Sequence, residues 1–443
     1  MRDLSAVYDG QRLQTYSRLF AFAYMAAFAG LWAMSSGLVD PMGKPLGADF
    51  ITFWSAGRLS LEGNPAAAFD RAAILAMQRQ AVPGSEAMFL WHYPPTFQLV
   101  AAALATMPYV ISYFVFVSAG LAAFFFALRP LVPWREAGVV LLALPGTFVC
   151  LLHGQNSFFT AALLTGAIVL IDRRPLWAGV CIGMLAYKPQ FGVLFPLVLA
   201  ITGRWRVMSA AAGTVVVFAG LATATFGFEL WAEFLSNAAL VRDVVETGQL
   251  PWGKMPSAYV FLRMLGAGQT AGYAGQALVA GTVVAVTSYV WWRLSRLSLE
   301  GQRMFCLDSC FSRVSSQNRV GHFCELCLGP TLPAGAVLIS GTLLIAPYTF
   351  DYEMAILAAP LAIIARQLVE QGASMREKAG LLVLAAAPLA MGNHLEKFGL
   401  QVGFLALAAA FVWSARLALA SARVRSIDCD HTGGEPVARV STP

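Results

Sequence analysis

From Tyr109 to Leu128 the chain reads Tyr-Val-Ile-Ser-Tyr-Phe-Val-Phe-Val-Ser-Ala-Gly-Leu-Ala-Ala-Phe-Phe-Phe-Ala-Leu, and Arg129 follows at once. The run carries no charge and has the length, about 20 residues, that a helix needs to cross a bilayer. Similar apolar runs recur at 18–38, 96–107, 136–152, 157–171, 175–187, 189–202, 207–226, 271–292, 332–348, 353–369 and 379–413. Over 443 residues the composition is 58% hydrophobic and 12% charged, far from that of an average soluble domain. The expected fold is an all-α polytopic membrane protein with about ten to thirteen transmembrane helices and short helices in the outer loops. The run 96–107 is short, so it reads as a re-entrant or interfacial piece joined to 109–128. The run 379–413 is long enough for two helices with a break at Met391–Lys397.

Basic residues orient this bundle. They cluster at Arg2/Arg12/Arg18, Arg129/Arg135, Arg173/Arg174, Arg204/Arg206, Arg293/Arg296/Arg303, Arg366/Arg376/Lys378 and Arg416/Arg423/Arg425, and they alternate with loops poor in Lys and Arg. Short cytoplasmic loops carry such an excess. The expectation is a multi-pass protein of the plasma (inner) membrane with both termini cytoplasmic. The net charge of +6 follows from this bias and gives no reason to invoke nucleic acid. No cleavable signal sequence is expected. The membrane domain is assigned to 1–423, with an outer loop at 39–95 and a cytoplasmic Cys-rich loop at 296–331. The polar stretch 424–443 reads as a disordered cytoplasmic tail.

On this topology six short polar motifs fall on the outer side. They are Gly47-Ala48-Asp49-Phe50, Trp91-His92-Tyr93-Pro94-Pro95, His153-Gly154-Gln155-Asn156, Lys188-Pro189-Gln190, Pro256-Ser257 and Pro347-Tyr348-Thr349-Phe350-Asp351. Asp49 is followed by Phe50, Phe53 and Trp54, and burial among aromatic rings would raise a carboxylate's proton affinity toward that of a general base. The alternative is an N-cap for a helix over Ile51–Leu61. Lys188 sits between apolar runs, where a lysine is costly unless paired or solvated. Proline beside it breaks the helix and frees backbone to line a cavity. Lys188 is therefore a candidate phosphate ligand, with a snorkelling interfacial lysine as the alternative. Tyr348, Asp351, Tyr352 and Glu353 form an acidic and aromatic cluster suited to a sugar, or else part of an interfacial aromatic belt. Trp231, Trp252 and Tyr259 in the outer loop 227–268 suit an interface or stacking on a sugar ring.

Four of the seven cysteines, Cys306, Cys310, Cys324 and Cys327, lie close together with His322 beside them. Zinc takes four such ligands. The spacing is loose, however, and thiols on the cytoplasmic side stay reduced. A variable loop, or a stretch shifted out of frame, accounts better for the abrupt change in composition. No cofactor and no other metal is expected.

Taken in order, the motifs resemble glycosyltransferase family 87, the polyprenyl-phosphate-mannose-dependent α-(1,2)-mannosyltransferase-like group with the GT-C fold. The resemblance rests on Gly47 to Phe50, the Ala-Gly…Gly-Asn-Pro series from Ala56 to Pro65, Tyr93-Pro94-Pro95, Gly154-Gln155-Asn156, Lys188-Pro189-Gln190 and the late Pro347-Tyr348 motif. It implies a GT-C-like bundle, a polyprenyl-phosphate-linked sugar donor, a lipid or glycan acceptor, and Asp49 as catalytic base. In that scheme Lys188, His92 and His153 meet the donor phosphate. Tyr93, Gln155, Asn156, Gln190, Tyr348, Asp351 and Glu353 contact sugar or acceptor. The late motif departs from the family's Tyr-Asp pairing, because here Asp351 precedes Tyr352 and Glu353 follows. The rival class is a transporter or flippase of a lipid-linked sugar, which would use the broken helices and the lysine for binding at the midplane.

Overall fold

Proline and glycine decide where these apolar runs break. The computed structural model describes residues 10–132, 134–304, 331–392 and 401–431. It begins with α1 (Gly10–Ala33). The next segment folds as α2 (Phe50–Leu61), a 3-10 turn (Pro65–Phe69) and α3 (Arg71–Ala81). Then come α4 (Pro95–Leu104), α5 (Tyr109–Leu128), α6 (Trp134–Ala143), α7 (Pro145–His153), α8 (Ser157–Leu170) and α9 (Pro175–Met184). Pro95, Pro145 and Pro175 each open a helix, where the missing N–H costs nothing. Two 3-10 turns, Leu185–Tyr187 and Pro189–Phe191, meet at Lys188 before α10 (Phe195–Ile201).

The second half holds α11 (Trp205–Phe226), α12 (Glu229–Glu246), α13 (Ala258–Met264) and α14 (Gln269–Met304). After the Cys-rich stretch come α15 (Thr331–Ile345), a 3-10 helix (Asp351–Leu357), α16 (Ala358–Gln371), α17 (Met375–Ala386) and α18 (Val402–His431). The run 379–413 is thus divided between α17 and α18. The last helix runs past 424 to His431. Cys306, Cys310, Cys324, Cys327 and His322 lie outside the described residues.

Among the described residues every helix or strand element is helical, as expected for this class; the only β pairing there is two isolated bridges, Ser36 with Val39 and Val39 with Pro45. Among the described residues five segments are long and apolar enough to cross a membrane: Tyr109–Leu128, Trp205–Phe226, Gln269–Arg296, Asp351–Val369 and Val402–Ser421. Other apolar runs survive as shorter helices, among them Pro95–Leu104, Ser157–Leu170 and Thr331–Ile345. The protein is a multi-pass membrane protein.

Small residues set the helix spacing. A Cβ on Gly179 would fall 2.5 Å from the Val207 carbonyl oxygen, and one on Gly183 2.6 Å from that of Ala211. The pair is a small-xxx-small seam joining α9 to α11. At Gly57 the approach is closer, because a Cβ there would fall 2.0 Å from the Ala101 oxygen, so α2 lies directly on α4. Gly146 of α7 meets the Asp351–Leu357 helix in the same way, where a Cβ would fall 2.8 Å from the Ala355 nitrogen. Under α2 an aromatic cluster fills the core: Phe53 packs edge-on against Tyr93 at 5.2 Å and Phe97 at 5.0 Å between centroids. These contacts pack α2 against α4, and α7 against the late 3-10 helix.

Gly57→Val is expected to destabilise the protein by about 1–3 kcal/mol through overpacking, read as a lower unfolding midpoint in detergent. Gly30→Val, at a position where a Cβ would meet nothing within 4 Å, is the control expected to leave the midpoint in place. Equal midpoints for the two variants would contradict the close α2–α4 approach.

Candidate active site

Two turns that would otherwise be far apart are fixed by tyrosines of α5. Tyr109 donates its hydroxyl to the Leu46 carbonyl at 2.5 Å, and Tyr113 donates to Leu151 at 2.6 Å. The tyrosines are one helical turn apart and so share a face. One holds the turn before α2, the other the end of α7. Gly47 (φ +79°) and Gly154 (φ +60°) occupy the left-handed region there. A Cβ on Gly154 would lie 2.6 Å from Phe50 Cβ and 3.1 Å from the Gly47 oxygen, and one on Gly47 would lie 2.7 Å from the Tyr113 ring. Only glycines let these backbones approach so closely. Ala48, at φ +31°, is strained in the same turn.

The turns bring Asp49 against the end of α7. Asp49 occupies the N-cap position of α2, but its side chain makes no capping hydrogen bond. Its Oδ2 instead accepts from Gln155 Nε2 at 2.8 Å and lies 3.3 Å from His153 Nδ1. Gln155 is held in turn, because its Oε1 accepts from the Tyr93 hydroxyl at 3.2 Å and from the Asn156 N–H at 3.3 Å. On the far edge of the imidazole, His153 Nε2 lies 3.5 Å from Lys254 Nζ, and Lys254 lies 3.6 Å from Asp351 Oδ2. The imidazole thus stands between the two groups, its Nδ1 edge toward Asp49 and its Nε2 edge toward Lys254.

These contacts reverse the sign expected for Asp49. Burial does raise its proton affinity, but the charge and hydrogen bond of His153, the Gln155 amide and the charge of Lys254 together outweigh it. The carboxyl is held below its ordinary value and is ionised at neutral pH. Its side chain is 17% exposed, so it is supported yet reachable.

Lys188 has a different environment from the one its sequence position suggests. Its Nζ lies 3.0 Å from Glu353 Oε1, and the two side chains are only 5% and 4% exposed. Tyr352, Tyr93 and Phe191 surround the ammonium with ring centroids at 5.6, 5.7 and 5.9 Å. The other oxygen of Glu353 accepts from the Phe350 N–H at 3.0 Å. Asp351 Oδ1 accepts from the Tyr352 N–H at 2.9 Å, and Tyr352 stacks on Phe350. The late acidic pair is thus divided, Asp351 toward Lys254 and Glu353 toward Lys188.

Asp49, Tyr93, His153, Gln155, Lys188, Asp351 and Glu353 therefore share one contiguous network. The other sequence candidates stand around it. His92 is exposed, stacked on Tyr93 with its Nδ1 3.1 Å from the Leu90 oxygen. Asn156 is fully buried at the start of α8. Gln190 is exposed in the turn after Lys188. Tyr348 belongs to a neighbouring cluster, where it meets the Tyr273 hydroxyl at 2.5 Å and the Tyr259 ring. Tyr259 is fully buried, and the Arg263 guanidinium lies 5.2 Å from the centroid of the half-buried Trp252 ring. Sequence reading passes over Lys254, whose signal is a cation two residues before the Pro256-Ser257 motif.

Fold and network define a polytopic membrane protein with charged groups gathered in one network. The sequence model of glycosyltransferase family 87 matches residues 91–311, and the chain belongs to that family. It is a membrane glycosyltransferase. Comparisons with curated proteins and with solved structures gave no match. The matched span holds Tyr93, His153, Gln155, Lys188 and Lys254, while Asp49, Asp351 and Glu353 join them by contact.

Breaking the buried pair tests its structural weight. Lys188→Met leaves Glu353 buried without its cation and is expected to cost about 3–5 kcal/mol. Replacing both partners, Lys188→Met with Glu353→Leu, is expected to restore most of the unfolding midpoint. Equal losses in the single and double variants would contradict this assignment.

Proposed function

We propose that the enzyme transfers a hexose, mannose-like, from a polyprenyl-phosphate donor to a hydroxyl of a lipid or glycan acceptor on the extracytoplasmic side, inverting the anomeric centre. The observation that carries this reading is Asp49, an ionised and partly exposed carboxylate with Oδ2 engaged by Gln155 and His153. Asp49 Oδ1 takes the acceptor's hydroxyl proton as the acceptor oxygen bonds to the anomeric carbon. The bond from that carbon to the phosphate oxygen breaks, and its electron pair leaves with the polyprenyl phosphate. A phosphate is a good leaving group, so no strong general acid is required. The nearby His153 imidazole and the Gln155 amide keep the carboxylate charged and aimed.

Family membership favours transfer over the rival transporter reading. A cleft of about 630 Å³ between the Pro65–Phe69 turn and α12 suits the acceptor. Asn64, Asp70, Glu233 and Asn237 line it and offer amide and carboxylate partners for hydroxyls. Asn237 also donates to the Trp91 carbonyl at 2.8 Å, which ties the cleft wall to the His92-Tyr93 segment.

With labelled polyprenyl-phosphate hexoses and a membrane lipid extract, Asp49→Asn is expected to lower kcat by about 10²–10⁴-fold without shifting the unfolding midpoint. Normal turnover by this variant would remove Asp49 from the role of base. The pH profile gives an independent check. Because Asp49 is held below the ordinary carboxylate value, wild-type activity falls only in acid below that range. His153→Gln removes the largest lowering influence and lets burial dominate, so the acid limb of kcat/KM is expected to move toward neutral pH. An unmoved limb would contradict the coupling.

A further inference from the structure

We propose that Lys254, on a turn clamped by Gln401, is the cation that binds the donor phosphate and receives its growing charge, and that Lys188 is not. The proposal rests on the donor reading above and assigns its phosphate subsite. The two lysines differ in what their ammonium groups have left to give. Lys188 is 5% exposed and bonded at 3.0 Å to Glu353. A phosphate reaching it would have to displace a buried carboxylate. Lys254 is 25% exposed, and its contacts to Asp351 and His153 are 3.6 and 3.5 Å. Those distances exceed the roughly 2.7–2.9 Å of a tight charge-assisted bond. With three donors, it retains capacity for a phosphate oxygen.

The turn that carries Lys254 is built to hold it. Gln401 is fully buried at the start of α18, and its Nε2 lies 3.0, 3.1 and 3.0 Å from the carbonyl oxygens of Trp252, Gly253 and Met255. Its Oε1 accepts from the Gly403 N–H at 2.8 Å, so both ends of the amide are engaged. A Cβ on Gly403 would fall 2.7 Å from Pro256, which reflects how closely α18 and this turn approach. Burying an amide is unfavourable unless it is bonded. Here it fixes the three carbonyls around a single lysine, which makes Gln401 a positioning residue.

Placement favours the same role. His153 lies between Asp49 on its Nδ1 edge and Lys254 on its Nε2 edge. Base and cation are therefore separated by an imidazole ring. Inversion requires such a separation, because the attacking hydroxyl and the leaving phosphate lie on opposite sides of the anomeric carbon.

Farnesyl phosphate, with farnesol as the uncharged control, is the probe for the full-length protein in nanodiscs. Lys254→Ala is expected to weaken farnesyl phosphate about 10- to 100-fold, the loss of a hydrogen bond to a charged group. Farnesol binding should stay unchanged, and Lys254→Arg, which keeps a cation beside the buried Asp351, should recover much of the farnesyl phosphate affinity. Gln401→Leu is expected to raise the donor KM more than it lowers kcat. Farnesyl phosphate binding by Lys254→Ala at wild-type strength would overturn the proposal. So would retention by Lys254→Ala with loss in the Lys188→Met/Glu353→Leu variant, which would place the phosphate at Lys188. If the wild type binds farnesol and farnesyl phosphate equally, the phosphate-donor reading itself fails, and the assignment with it.

Discussion

The meeting of two glycine turns, one before α2 and one after α7, is the constraint on which the site depends. Gly47 and Gly154 approach so closely that a side chain on either would strike Phe50 or Tyr113. Tyr109 and Tyr113 pin the two turns from a single face of α5. Without that contact Asp49 would be an N-cap residue on a short helix, and His153 and Gln155 would end an unrelated one. With it, a carboxylate and its two supporting groups come within hydrogen-bonding range across about a hundred residues of sequence.

Charge balance explains the rest of the polar inventory. Three carboxylates, Asp49, Asp351 and Glu353, sit with two lysines and a histidine in an apolar bundle. Each buried charge needs a partner in such surroundings. Glu353 and Lys188 satisfy one another, deep and out of reach. Asp351 and Lys254 form a looser pair nearer the surface. Asp49 is served differently. Its closest partners are an imidazole and an amide, which stabilise the anion without committing the carboxylate to a lysine or arginine salt bridge. That arrangement suits a group that must accept a proton and later release it.

Much of this is legible in the sequence, for identifiable reasons. The run 109–128 and its repeats imply an all-helical membrane bundle because length and lack of charge suffice for that inference. Proline at 95, 145, 175 and 189 marks helix breaks that the structure contains. The ordered polar motifs point to the residues that meet around Asp49, and the family match covers those from 91 onward. Partnership is what local pattern does not carry. Lys188 and Glu353 are 165 positions apart, and nothing near either says that they neutralise each other. Nor does any local pattern show that Tyr348 turns away toward Tyr273, or that Gln401 holds the Lys254 turn. The direction of the shift at Asp49 is hidden for the same reason. Its aromatic neighbours are adjacent in sequence and visible, whereas His153 and Gln155 are distant.

The central claim is a single displacement driven by Asp49 as base. The most direct measurement is the anomeric configuration of the glycosylated product, read by proton NMR from a polyprenyl-phosphate hexose of defined anomer. Inversion relative to the donor is the result this account requires. Retention would demand a covalent sugar–enzyme intermediate or front-face attack, and would contradict the assignment of Asp49 as base.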